Sequence, residues 1–232
     1  MIRQLYDRDS YTYTYLLVCD KTGQAALIDP VKDNVTQYVQ LLKELNLKLV
    51  YALDTHIHAD HITALSVLRK ATGCSTLVSS QGKVNCASGG LTNNACLTIG
   101  LLSLRAIYTP GHTDDSYSFY LQEGANGYLF TGDTLLIRGT GRTDFQNGSA
   151  SDLYESLHNK LLQYPDNTIV YPAHDYNGFT QSTIFEEKYF NPRVKIKDKG
   201  AFIQFMAELN LPKPKHIEIA VPANQQCGEL DV

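Results

Sequence analysis

Residues 55–61 read THIHADH, which puts three of the chain's seven histidines and an aspartate into one heptapeptide. In an extended segment residues two apart project to the same side, so His56 and His58 can converge, while Asp60 and His61 fall at the start of the helix expected next. Each later donor directly follows an apolar, strand-like run: His112 in YTPGHTD, Asp133 in YLFTGD and His174 in VYPAHD. Strand ends are rigid, as ligand geometry in a metal site must be. Pro110-Gly111, Gly132 and Pro172 punctuate these ends and let the backbone turn sharply. Burying so many imidazoles and carboxylates without a cation would be costly, and no capping or packing role calls for them. The chain must therefore bring several strand ends to one metal centre. His158, on a helix, and His216, in the tail, are read as ordinary histidines without a ligand role.

The rest of the pattern supplies those strands. YTYTYLLVCD and QAALIDP, separated by the turn-like KTG, predict an N-terminal hairpin. NVTQYVQLLKELNL places Val35, Tyr38, Val39, Leu42 and Leu45 on one helical face, and KLVYALDT reads as a buried strand that ends at the histidine cluster. Ile62, Leu65 and Leu68 mark a second helix, which Gly73 ends. STLVSS, LLSLRAIYT, YSFYLQ and YLFTGD are strand candidates, followed by a helix through Leu153, Leu157 and Leu161 capped by Ser149 or Ser151, and by the strand TIVYPAH. A last helix, GAFIQFMAEL, precedes a Pro-containing tail expected to be extended. Hairpins interleaved with helices imply mixed sheets. We expect a single domain over 1–232, with 195–232 a C-terminal helix and extended tail packing on it.

Composition narrows the classes. A chain of 232 residues can bury its own core. A net charge of -4 argues against a polyanion grip, and only KIKDK is locally basic, so no nucleic-acid partner is expected. The five cysteines, Cys19, Cys74, Cys86, Cys96 and Cys227, are odd in number and form no C-x-x-C pair. Neither a disulfide framework nor a thiolate zinc knuckle is expected, and a reducing compartment fits. No apolar run would cross a bilayer and the N-terminal stretch resembles no leader, so a soluble, cytoplasmic location without membrane contact is expected.

T-H-x-H-x-D-H followed by P-G-H-T, T-G-D and P-x-H resembles the metallo-β-lactamase superfamily. That resemblance implies an α/β fold, an αββα sandwich of two mixed β-sheets flanked by helices. In its dinuclear members the matching residues would be His56, His58 and His112 for one metal, Asp60, His61 and His174 for the other, with Asp133 bridging. Longer stretches, FTGDTLLIRGTGRTDFQNG, YPAHDYNGFTQSTIFEEKYFNPRV and LNLPKPKHIEIAVPANQQCG, are similar to the persulfide dioxygenases. This similarity implies one non-haem Fe(II) per chain held by His56, His112 and Asp133 as the catalytic centre. His58, Asp60, His61 and His174 then stand as outer residues or an unused second metal site. It also implies oxidation of glutathione persulfide by O2 to sulfite and glutathione. Tyr176, Arg193, Arg142, Asn224 and Cys227 match positions around the glutathione pocket. Arg142 has an alternative role, pairing with Asp144 or Asp175 to hold its loop, and Cys227 has one as a small buried hydrophobe. The chain departs from the pattern at Thr140, where many relatives carry cysteine. The oligomeric state is left open, a homodimer included. The rival readings are a glyoxalase II-type dinuclear zinc hydrolase of glutathione thioesters, and a binding module that has lost its chemistry. Only 58 residues follow His174, too few for the helical domain that glyoxalase II typically adds, and every ligand is intact.

Overall fold

The structure, a computed structural model, describes residues 1–82, 84 and 86–229. Two six-stranded sheets carry the chain. The first contains β1 (Ile2–Tyr6), β2 (Tyr13–Cys19), β3 (Gln24–Ile28), β4 (Lys48–Leu53), β5 (Ser75–Ser79) and β6 (Gly89–Leu91), in that spatial order. The second contains β7 (Cys96–Ile99), β8 (Leu102–Tyr108), β9 (Tyr117–Glu123), β10 (Asn126–Gly132), β11 (Ile169–Pro172) and β12 (Ser182–Thr183), also in sequence order. Both are mixed: β1, β2 and β3 pair antiparallel and β3 to β6 parallel, while β8, β9 and β10 pair antiparallel and β10 and β11 parallel. The helices are α1 (Val35–Glu44), α2 (Leu65–Thr72), α3 (Ala150–Asn159), α4 (Ile184–Phe190), α5 (Lys199–Ala207) and α6 (Ile217–Gln225). Among the described residues no helix is long and apolar enough to cross a membrane.

The chain forms two compact units, one of Met1–Thr92, Cys96–Ser103 and Lys213–Val232, the other of Asn93–Ala95 and Leu104–Pro212. In the first, Leu16, Val18, Leu27, Tyr38, Leu42, Leu49, Leu65 and Leu68 build the core. The apolar stripe of α1 turns Tyr38 and Leu42 inward, and the Tyr38 hydroxyl meets Thr14 Oγ1 at 3.0 Å and accepts from Val31 N. Gly73 ends α2 in the left-handed conformation, as the sequence suggests. In the second unit Leu129, Leu153, Leu157, Leu161, Val170, Ile184, Val194 and Phe202 form the core. Ser149 caps α3 by accepting from Asp152 N.

The structure corrects three expectations. Residues 54–64 form an irregular loop and α2 begins only at Leu65, so Asp60 and His61 are not helical. Cys86 and Cys227 form a disulfide across 141 residues of sequence. Counting and spacing cannot reveal a pairing that tertiary proximity creates. The tail is not extended throughout: α6 contains Pro222, which a short helix tolerates because it loses one hydrogen bond while Ala220, Ala223 and Asn224 are buried. Its last residues, 230–232, lie outside the described residues. The sequence reading also missed β1, β6, β7, β12 and α4, all short.

Gly111, just before His112, has φ +141°, and a Cβ there would lie 2.3 Å from the backbone of Leu153. Gly124 is also left-handed, but its Cβ would meet nothing within 4 Å. Gly111→Ala should therefore cost about 3 kcal/mol or more, because rigid backbone must move, and Gly124→Ala only about 1 kcal/mol of strain. Urea denaturation of the two variants checks the difference.

Candidate metal centre

In the first unit the donors lie on the loop that leaves β4, between the ends of β3 and β5. Asp29, at the end of β3 with φ +53°, organises it. Its Oδ1 accepts from Thr55 N at 2.7 Å and its Oδ2 from the Thr55 hydroxyl at 3.0 Å. The single hydroxyl proton of Thr55 goes to that carboxylate. Thr55 Oγ1, 2.9 Å from His56 Nδ1, must therefore accept from the ring, which leaves the lone pair of His56 on Nε2. Asp29 Oδ1 also lies 3.1 Å from His58 Nε2. Burial opposes charge on His58, but Asp29, with help from Asp60 and Asp54, overcomes it and raises the pKa to about 9. His58 Nδ1 is buried without a hydrogen bond, 3.9 Å from Asp60 Oδ1. Asp60 Oδ2 lies 2.9 Å from His61 Nδ1 and accepts from Thr12 Oγ1. His58, Asp60 and His61 offer ligand atoms within 4.8 Å of one another.

In the second unit β8, β10 and β11 all run in one direction, because β8 and β10 are both antiparallel to β9 and β11 is parallel to β10. The loops that follow them leave from the same edge. They carry His112, Asp133 and His174. The backbone carbonyl of Arg142 lies 2.8 Å from His112 Nδ1 and can only accept, which places the ring lone pair on Nε2. That Nε2 lies 3.5 Å from Asp133 Oδ2, while Asp133 Oδ1 accepts from His174 Nδ1 at 2.7 Å. At 3.5 Å these two electron-rich atoms lie beyond ordinary hydrogen-bond distance and have the separation of two ligands on one ion with metal–ligand bonds near ~2.1 Å. This N,O pair therefore fits a divalent cation of zinc or iron type. Gly141 permits the close approach: its N–H donates to Asp133 O, and a Cβ there would lie 2.7 Å from His112 Nδ1.

The expected substrate residues divide. Tyr176 is 67% exposed and stacks on His174 with ring planes 4° apart. Arg193 is half-buried, donates through Nη1 to Thr140 O and Oγ1, and has no carboxylate partner among the described residues. Burial lowers its pKa. Arg142 is committed: it holds Asp144 through two bonds of 2.6 and 2.7 Å and donates to the carbonyls of Pro212 and Leu211. Its loop-holding alternative is the one seen, with Asp144 and not Asp175 as partner. Asn224 is buried, and its amide is spent on Thr63 N, His58 O and His61 O, so that it grips the histidine loop. Cys227 is fully buried and its sulfur is taken up in the disulfide with Cys86.

Sequence reasoning missed Asp29, Thr55 and Glu187. The signal for Asp29 was faint, a lone Asp at the end of an apolar strand. Glu187 had none, since it sits in an unrecognised helix. Fully buried, it binds Arg138 through N and the guanidinium and accepts from Ser182 Oγ and Asn191 Nδ2. Asn191 in turn donates to Leu136 O and Gly139 O, so this network shapes the segment after Asp133. Glu187→Ala should cost about 3 kcal/mol, because it leaves buried donors unpaired. Chemical denaturation checks the loss.

The metallo-beta-lactamase superfamily model matches residues 7–86 and 89–174, and the chain belongs to that superfamily. A mitochondrial persulfide dioxygenase, ETHE1, of Mus musculus is 46% identical over 98% of this chain and 89% of its own length. The Homo sapiens protein is 44% identical with the same coverage. The crystal structure of ETHE1 from Myxococcus xanthus superposes with a TM-score of 0.95 at 49% identity, covering 99% of this chain and 100% of that one. Within the superfamily this chain belongs to the persulfide dioxygenase branch. A probable hydroxyacylglutathione hydrolase of Schizosaccharomyces pombe is more distant, 37% identical over 71% of this chain and 64% of its own length. The α/β fold of two mixed sheets flanked by helices, expected from the sequence, is the fold of this superfamily.

Proposed function

We propose that the chain is a mononuclear non-haem iron persulfide dioxygenase, with His56, His112 and Asp133 holding one Fe(II). The observation that carries this reading is the likeness, over nearly the whole chain, to proteins named persulfide dioxygenase. The substrate we assign is glutathione persulfide. With O2 and water it gives glutathione, sulfite and two protons; four electrons pass from sulfur to O2 and the S–S bond breaks. When bound, Fe(II) supplies a redox-active centre with exchangeable positions beside a two-histidine, one-carboxylate set.

The residues of the chain orient that set. Thr55 fixes the ring of His56, the Arg142 carbonyl that of His112, and His174 holds one oxygen of Asp133. Ligands held in advance lose little freedom on binding a metal. Arg193 supports the choice of an anionic thiol carrier. It is a half-buried guanidinium without a carboxylate among the described residues, and a glutathione carboxylate would supply a counter-charge in fork geometry. Tyr176 offers an exposed ring and hydroxyl beside His174. In this reading His58, Asp60, His61 and His174 serve as outer residues, and the enzyme works in solution in the cytoplasm, although its relatives are named as mitochondrial.

A two-metal hydrolase of glutathione thioesters is the second reading, favoured by the His58, Asp60 and His61 cluster. A metal there would take the place of the His58 proton.

Metal analysis should find one iron per chain, and the iron-loaded protein should consume O2 and release sulfite from glutathione persulfide. Zinc loading at two per chain, with thioester hydrolysis and no O2 uptake, would replace this reading with the hydrolase. Arg193→Ala should raise KM for glutathione persulfide about 10- to 100-fold, the worth of one charge-assisted bond, with iron content unchanged. Steady-state kinetics on an O2 electrode checks this, and an unmoved KM removes Arg193 from the pocket.

A further inference from the structure

The C-terminal helix grips the loop that carries the histidines. Asn224, on α6, accepts from Thr63 N at 2.9 Å and donates to His58 O and His61 O at 2.8 Å each. One acceptor and both donors of a single buried amide are thus spent on the backbone of residues 58–63. The opposite side of this stretch is held by Lys32 N on Ile62 O and by Ala64 N on Pro30 O. The loop is clamped between the end of β3 and α6.

What keeps α6 in place is less secure. It is nine residues long, contains a proline and follows an irregular run, so it cannot persist as a helix by itself. Three residues after Asn224, Cys227 is bonded to Cys86, and Cys227 O accepts from Ser66 N. Cys86 lies outside the helix, in the segment before β6, anchored by Arg69 on its carbonyl at 2.6 Å. The disulfide fixes α6 one turn from the amide that holds the loop.

We propose that Asn224 is a positioning residue for the ligand loop, and that the Cys86–Cys227 disulfide maintains its grip, so that a small thiol opening the disulfide loosens metal retention. The inference rests on the reading that this loop holds the metal. Cys86 is the partly exposed residue of the pair and Cys227 the buried one. A thiolate attacks Cys86 Sγ, the S–S bond breaks and Cys227 leaves as a thiolate that takes a proton. A second thiol then displaces the first as its symmetrical disulfide. In sum the protein gains two electrons and two protons, and two thiols become one disulfide.

Cys86→Ser, Asn224→Ala and Asn224→Asp, made in the full chain, test it by two readouts. The first is the rate of iron loss to a chelator. The second is hydrogen exchange of the Thr63 amide in metal-free protein, which reads the clamp whether or not the metal assignment is right. Cys86→Ser and Asn224→Ala should each speed iron loss about tenfold and accelerate Thr63 exchange similarly. Asn224→Asp, which keeps the acceptor for Thr63 N, should fall between Asn224→Ala and the parent. Combining Cys86→Ser with Asn224→Ala should add little, because the disulfide acts through the amide. Metal loss and exchange equal to the parent in Asn224→Ala, or independent multiplying effects in the double variant, overturn the proposal. Altered Thr63 exchange with no iron bound by the parent sustains the clamp and refutes the metal reading instead.

Discussion

A single buried carboxylate, Asp29, sets the geometry of the histidine loop. A charge taken out of water must be matched by donors, and Asp29 finds them in the N–H and hydroxyl of Thr55 and in the ring of His58. Those bonds fix where the backbone leaves β4, which way the His56 ring faces and which of its nitrogens carries the lone pair. In the second unit the carboxylate is Asp133, held by His174 on one oxygen and set opposite His112 by the other. Each unit thus orients imidazoles by pairing them with a buried or partly buried acid, and the acids depend in turn on their position at strand ends.

Strand direction makes this placement possible. The crossovers that make β10 and β11 parallel send their following loops from the same edge, and the antiparallel β8–β9–β10 meander adds the loop of His112. The side chains are held by networks far less conspicuous than the histidines. Glu187 and Asn191 shape the segment after Asp133, and Asn224 closes over the loop of residues 58–63. For a chemistry that must aim a persulfide and O2 at one another, such support matters as much as the identity of the ligands.

Much of this was legible in the sequence. Periodicity located β2, β3, α1, β4, α2, β5, β8 to β11, α3 and α5, because each buries an apolar face or run. The donor residues stood out because imidazoles and carboxylates clustered at strand ends have no packing role. The short elements escaped: β6 and β12 contain too few residues to show a period, and α4 hides its buried Glu187 among charges. Polar roles were hardest to read. Arg142 and Arg193 look alike in sequence, yet one is neutralised by Asp144 and the other has no acid beside it among the described residues.

The sequence by itself determined which atoms could ligate a metal, that they follow strands, and that the sheets are mixed, since these are properties of local composition and spacing. Only the tertiary structure decided that Asn224 holds backbone carbonyls, that Cys86 meets Cys227 and that Arg142 is spent on its own loop. Those outcomes depend on which buried donor finds which acceptor after distant segments have packed, and the requirement that every buried polar group be satisfied acts through space and leaves no period in the chain.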